Sequence, residues 1–255
     1  MSGRVVLITG AAGGIGQGLA HGFAQQGAHL VLVDRMLVPL HALAAKLHPA
    51  QVLCAATDLG DDLAVAALTE QLRAGPGRID VLINNAGTEY ATPLDDAAAD
   101  FMARWDDLLR NNVGSMVRLT RAVLPLLSNG ASVINQSSIW GHTAVAGFSA
   151  YVASKHAVIG VTRSLARELA PRAVRVNAVC PGWVRTAAAL RSLDLLAHQA
   201  GCTAEDLLQQ ILAQQAVPEL LEPADLAGTF LFLASDAARA ITGQSVVVSH
   251  GEVMH

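Results

Sequence analysis

Apolar residues along this chain fall into two alternating kinds of run. Arg4–Thr9 is short, almost wholly apolar and rich in β-branched residues, and it reads as a strand buried on both faces. Gly14–Gln26 then spaces Ile15, Leu19 and Phe23 four apart, which marks one helix face. The alternation continues, with strands predicted at 29–33, 51–56, 81–84, 132–136, 173–179 and 245–249. Helices are predicted at 36–47, 61–73, 98–127, 151–169 and 223–234. Strand–helix repetition of this kind predicts right-handed βαβ units and an α/β, doubly wound parallel sheet. Residues 187–218 interrupt it, being helix-prone without a strand. In an open α/β sheet ligands bind at the carboxyl ends of the strands, so this excursion is expected to be a substrate lid, with an oligomer contact as the alternative. No linker, charge block or repeat divides residues 1–255, so a single domain is expected.

Composition raises one challenge to that picture. The chain is 52% hydrophobic and 15% charged. No Asp, Glu, Lys or Arg occurs in 5–33 or in 122–154. A membrane span needs roughly 20 predominantly apolar residues in a row. Both stretches are instead broken by glycine and amides, among them Gly10, Gly13, Gly16, Gln25, Asn129, Gly130 and Gln136. The start, Met1-Ser2-Gly3-Arg4, shows no secretory leader. Cys54, Cys180 and Cys202 are too few and too scattered for a disulfide framework or a zinc site. The net charge of −4 leaves no basic footprint for nucleic acid. A soluble cytoplasmic protein is expected, with no metal, nucleic-acid or membrane partner.

The first charge-free stretch holds Thr9-Gly10-Ala11-Ala12-Gly13-Gly14-Ile15-Gly16 between a strand and a helix. Glycines there let backbone approach a pyrophosphate, and the helix N-terminus offers free N–H groups. Asp34 ends the second strand eighteen residues after Gly16. A carboxylate at that point can accept both adenosine ribose hydroxyls and repels a 2′-phosphate, so NAD is expected over NADP, with neighbouring Arg35 as the opposing signal. The second stretch leads through Ser138 to Tyr151 and Lys155, which lie four apart on one helix face. A free tyrosine is a poor base at neutral pH, and an adjacent ammonium is expected to lower its pKa. Asn84-Asn85-Ala86-Gly87 and Pro181-Gly182 follow other strands, so all these groups converge on one edge of a parallel sheet.

In this order and spacing the motifs resemble the short-chain dehydrogenase/reductase family over nearly the whole chain: Thr9-Gly-x-x-x-Gly-Ile-Gly16, Asp58-Leu59, Asn84-Asn-Ala-Gly87, Asn112, Ser138, Tyr151-x-x-x-Lys155 and Pro181-Gly182-x-x-x-Thr186. The resemblance implies a Rossmann-type sheet of about seven strands, a nicotinamide cofactor and a homotetramer. It implies Tyr151 as general acid/base, Ser138 orienting the substrate oxygen, and Lys155 binding the nicotinamide ribose. Asn112 would place a relay water. The cofactor would be held by Gly10, Gly14, Ile15, Gly16, Asp34, Asp58, Leu59, Asn84, Asn85, Gly87, Tyr151, Lys155, Pro181, Val184 and Thr186. Two positions depart from the family pattern: Ser115 stands where glycine is usual, and Ser249-His250-Gly251 replaces Asp-Gly-Gly.

By the same resemblance the substrate pocket would draw on Glu89, Tyr90, Ile139, Trp140, His142 and Trp183. Aromatic walls with polar groups suit a modest secondary alcohol or ketone, such as a sugar, a polyol or an aryl alcohol. The expected activity is NAD-dependent hydride transfer on that substrate. The alternative is a catalytically silent dinucleotide-binding sensor or scaffold, which would be expected to lack part of the Asn112–Ser138–Tyr151–Lys155 set.

Overall fold

Seven strands, β1 (Val5–Thr9), β2 (His29–Asp34), β3 (Val52–Ala56), β4 (Ile79–Asn84), β5 (Leu127–Gln136), β6 (Arg175–Pro181) and β7 (Ser245–Val248), form one parallel sheet in the computed structural model, which describes residues 1–254. Their order is β3-β2-β1-β4-β5-β6-β7. Nine α-helices connect them among the described residues: α1 (Gly14–Gln25), α2 (Leu37–Lys46), α3 (Asp62–Ala74), α4 (Phe101–Leu109), α5 (Ser115–Val123), α6 (Ser149–Glu168), α7 (Ala187–Ala200), α8 (Ala204–Leu212) and α9 (Asp225–Ala234).

Alternation along β1 shows why the strands had to be apolar throughout. Val6 and Ile8 enter a core with Leu19 and Phe23 of α1, Leu40 of α2 and Phe230 of α9. Val5 and Leu7 face the opposite core with Leu68 and Leu72 of α3 and Leu119 and Val123 of α5. Successive strand side chains point to opposite faces, so a strand covered on both sides cannot alternate with polar residues. The strand order reverses between β1 and β4, and a crevice opens there at the carboxyl edge.

The predicted elements fall close to the observed ones, with two differences. The segment 98–127, expected as one helix, is α4 and α5 joined by a π-turn at Arg110–Gly114, and it ends in a 3₁₀ turn at Leu124–Leu126. β5 starts at Leu127, five residues earlier than expected. The 187–218 excursion contains α7 and α8. Among the described residues no helix is long and apolar enough to cross a membrane. No group of three or more His, Cys, Asp or Glu among them is placed to hold a metal ion.

Candidate active site

Two adjoining hollows lie along the carboxyl edge. The outer groove encloses about 470 Å³ and is lined by Gly10, Gly14, Ile15, Gly16, Asp34, Asp58, Leu59, Asn85, Gly87 and Thr186, all anticipated from sequence. The inner cavity encloses about 160 Å³ and brings together Ser138, Tyr151, Lys155, Pro181, Val184, Glu89, Trp140 and Trp183. The hollows share Ile15, Asn85, Gly87, Thr88, Gln136, Thr186 and Ala188, so a ligand in one can reach into the other.

The outer groove fits a dinucleotide. Gly10 has φ +62°, and a Cβ there would stand 2.9 Å from Ala86 Cα, so only glycine lets the two loops meet. The N-terminus of α1 carries no side-chain cap and no acidic residue in its first turn. Its N–H groups therefore face the groove ready for phosphate oxygens. Asn85 Oδ1 is buried without a hydrogen-bond partner. At the adenosine end Asp34 Oδ2 accepts from Ala12 N at 3.0 Å and Oδ1 from Arg35 N at 2.7 Å. The Arg35 guanidinium reaches Asn111 Oδ1 at 3.1 Å and lies 3.8 Å from Asp58 Oδ1.

In the inner cavity the first turn of α6 carries Tyr151 and the next carries Lys155. Lys155 Nζ donates to Gln136 O at 3.1 Å and sits 5.3 Å from the Tyr151 ring centre. Ser138 stands beside Tyr151 and pulls its phenol pKa down, while the Ser138 Oγ accepts from Trp140 N at 3.2 Å. Ser137 Oγ donates to Lys155 O at 2.8 Å, fastening α6 to the end of β5. The π-turn aims Asn112 inward. Its Nδ2 donates to Thr88 O at 2.9 Å and Ser154 Oγ at 3.0 Å, and its Oδ1 accepts from Thr88 N at 2.7 Å. Asn112 thus ties the β4 loop to α6.

The charges differ from expectation at one point. The Tyr151 phenol is not depressed: burial, and then the Glu89 carboxylate, hold it well above the ordinary tyrosine range, against the pull of Ser138. Lys155 is pushed down to about 8 by burial, with Glu89 and Cys180 pulling the other way. Burial also raises Glu89, opposed by Ser192 and by the charges of Lys155 and Arg191.

Four anticipated residues stand elsewhere; Asn112, held by Thr88 and Ser154, lines neither hollow. Asn84 does not line the groove; it donates to Asn135 Oδ1 at 2.8 Å and Thr120 Oγ1 at 3.1 Å in a buried network between strand and helix. Tyr90 lies outside the cavity lining and donates its hydroxyl to Arg104 O at 2.6 Å. His142 also lies outside that lining. Conversely, Gln136, Thr88, Arg191 and Ser192 join the two hollows or their rim without having been singled out. Ala188, Arg191 and Ser192 share the spacing of one helix face, a signal in the sequence that could have found them.

A family profile described as Enoyl-(Acyl carrier protein) reductase matches residues 10–252. A 7alpha-hydroxysteroid dehydrogenase of Bacteroides fragilis is 34% identical over 259 residues, covering 99% of this chain and 95% of that protein. A D-beta-hydroxybutyrate dehydrogenase of Cupriavidus necator is 32% identical over 250 residues, covering 95% of each. The crystal structure of an L-sorbose reductase from Gluconobacter frateurii, complexed with NADPH and L-sorbose, is similar with a TM-score of 0.90 at 31% identity, over 100% of this chain and 98% of that one.

Proposed function

The chain belongs to the short-chain dehydrogenase/reductase family, and from that premise we propose that it is an NAD-dependent enzyme interconverting a small secondary alcohol and its ketone, with Tyr151 as the acid/base. The observation that carries the reading is the placement of Ser138, Tyr151 and Lys155 in one cavity that opens, through Asn85, Gly87 and Gln136, into a groove fit for a dinucleotide. A nicotinamide dinucleotide supplies or takes up the hydride. The protein does the rest. Ser138 and Tyr151 hold the substrate oxygen between two hydroxyls. Tyr151 gives its proton to that oxygen in reduction and takes it back in oxidation. Lys155, held by Gln136 O, keeps a cation beside the phenol. A phenol kept protonated by burial and by Glu89 suits the proton-donating role in ketone reduction.

Tyr151→Phe tests the assignment. Turnover should fall about 10²- to 10⁴-fold, the usual worth of a positioned acid/base. NADH should still raise the melting temperature, because a ligand that binds only the folded state stabilises it. Retained turnover would overturn the role.

Asp34 supports NAD as the working cofactor, and the L-sorbose reductase with its NADPH is the counter-example. Asp34 lines the groove, where its carboxylate would repel a 2′-phosphate, and Arg35 is already engaged by Asn111 and Asp58. Asp34→Ser should move the NADPH/NADH ratio of kcat/KM upward by about tenfold or more, equivalent to about 1.4 kcal/mol. An unchanged ratio counts against NAD preference. The substrate class of sugars, polyols and aryl alcohols is supported by the Trp140, Trp183 and Glu89 lining. Within the 187–218 excursion we propose α7 as the lid, supported by Ala188 and Arg191 in the groove lining. A homotetramer is the proposed assembly, and light scattering tests it.

A further inference from the structure

Glu89 is the one acidic side chain lining the inner cavity among the described residues, and beyond its charge on Tyr151 and Lys155 the proton transfer gives it no contact with the substrate. A carboxylate taken out of water is costly unless its oxygens receive hydrogen bonds. Its two oxygens offer about four acceptor sites. Ser192 stands near it and, with Lys155 and Arg191, opposes the rise that burial imposes on its pKa. Gln136 Oε1, also in the lining, is buried without a partner, and so is Asn85 Oδ1. Beside the donors of Ser138, Tyr151, Thr88 and Lys155, the cavity therefore offers acceptors in Glu89, Gln136 and Asn85. The tryptophans Trp140 and Trp183 meet edge to face, with centres 5.9 Å apart, and supply apolar wall but no further acceptor.

We propose that Glu89 is the specificity residue of this site and selects ketones and alcohols that carry a second hydroxyl beside the reacting carbon, the Glu89 carboxylate accepting that hydroxyl. This rests on the oxidoreductase reading above and narrows its substrate class. A substrate hydroxyl supplies a donor to the Glu89 carboxylate. An apolar ketone of the same shape would leave the carboxylate desolvated and unpaired. A substrate carboxylate would meet Glu89 with like charge, which disfavours keto acids and hydroxy acids. A substrate ammonium is disfavoured in turn, because Lys155 and Arg191 already act on Glu89 with positive charge.

The experiment uses matched ketones of nearly equal size with the whole protein and NADH or NADPH. Hydroxyacetone is paired with 2-butanone, and 2-hydroxycyclohexanone with 2-methylcyclohexanone; pyruvate and aminoacetone complete the set. The parent should prefer the hydroxylated member of each pair by about 10- to 150-fold in kcat/KM, the usual worth of a hydrogen bond to a charged group. Glu89→Leu should reduce that ratio to within a few-fold, chiefly by losing the hydroxylated substrate. Glu89→Gln, which keeps an acceptor oxygen without the charge, should hold an intermediate ratio and guards against a folding defect in the leucine variant. Turnover of both pair members at equal efficiency, or a ratio unchanged in both variants, overturns the Glu89 role while leaving the oxidoreductase reading intact. A preference for aminoacetone or pyruvate also overturns it. Failure to turn over any ketone or alcohol overturns both.

Discussion

At the scale of single residues, the site turns on three groups: Glu89, Tyr151 and Lys155. Their mutual effects fix the sign of two pH responses. Ketone reduction needs the Tyr151 proton and the Lys155 charge. The phenol lies well above 10 and Lys155 near 8, so kcat/KM for reduction should hold steady to about pH 8 and decline beyond it, following Lys155. Glu89 raises both groups, so in Glu89→Gln the decline should begin at lower pH; a shift to higher pH, or none, would refute this electrostatic account. Stability moves in the other sense. Below pH 8 Lys155 is charged in both folded and unfolded chains, and its burial penalty is fully present. Between 8 and 10.5 the folded form has released the proton while the unfolded form keeps it, so folding gains about 3 kcal/mol across that window. Lys155→Met should therefore raise stability in urea titrations at pH 7, and its advantage should shrink towards pH 10.5. The Tyr151–Lys155 pairing was legible from spacing alone. The raised phenol was not, because it comes from burial and from Glu89, sixty-two positions away in sequence. The different placements of Asn84 and Asn85 were legible in principle: neighbours at a strand end face opposite ways, so one turns to the core and the other to the groove.

At the scale of elements, the chemistry depends on how closely α6 lies against the end of β5. Gly141 marks that contact. A Cβ there would stand 2.5 Å from Ser137 Oγ and 2.9 Å from Lys155 O, the two atoms that fasten strand to helix. Gly141→Ala should push α6 outward, costing about 1–3 kcal/mol as an overpacked core does. It should also lower kcat while leaving NADH affinity nearly unchanged, since the outer groove is built by other elements. A fluorescence titration with NADH beside steady-state rates separates the two effects, and an equal loss in both would show that the contact is not local to the catalytic cavity. Element positions were legible because apolar periodicity survives in a sheet buried on both faces. The π-turn at Arg110–Gly114 was not, because one extra residue in a turn leaves the 3.6-residue pattern on either side intact. Ser115, noted as a departure from the family pattern, stands directly after that turn and donates to Asn111 O.

At the scale of the molecule, stability is unevenly spread. The sheet is packed on both faces by two continuous cores, whereas α8 contributes no buried residue and α7 buries Ser192, Leu193 and Ala197. Segments with few buried apolar contacts open at low free energy. In the cofactor-free protein, amide hydrogens of α8 should exchange fastest, those of α7 next, and those of β1, β4 and β5 only on global unfolding. Cofactor then separates a lid from a mere appendage. At a hundredfold excess of NADH over its Kd, every opening that destroys the groove costs about 2.7 kcal/mol more, and exchange through it slows about 100-fold. Ala188 and Arg191 of α7 line that groove, and Thr186 at its N-terminus belongs to both hollows. Amides of α7 should therefore slow along with the core, while fraying within α8, which touches neither hollow, should continue unchanged. If α7 exchanges at the same rate with and without NADH, it moves independently of the cofactor and is no lid. If α8 slows as much as α7, the excursion closes as one body, and the lid extends beyond the part that lines the groove.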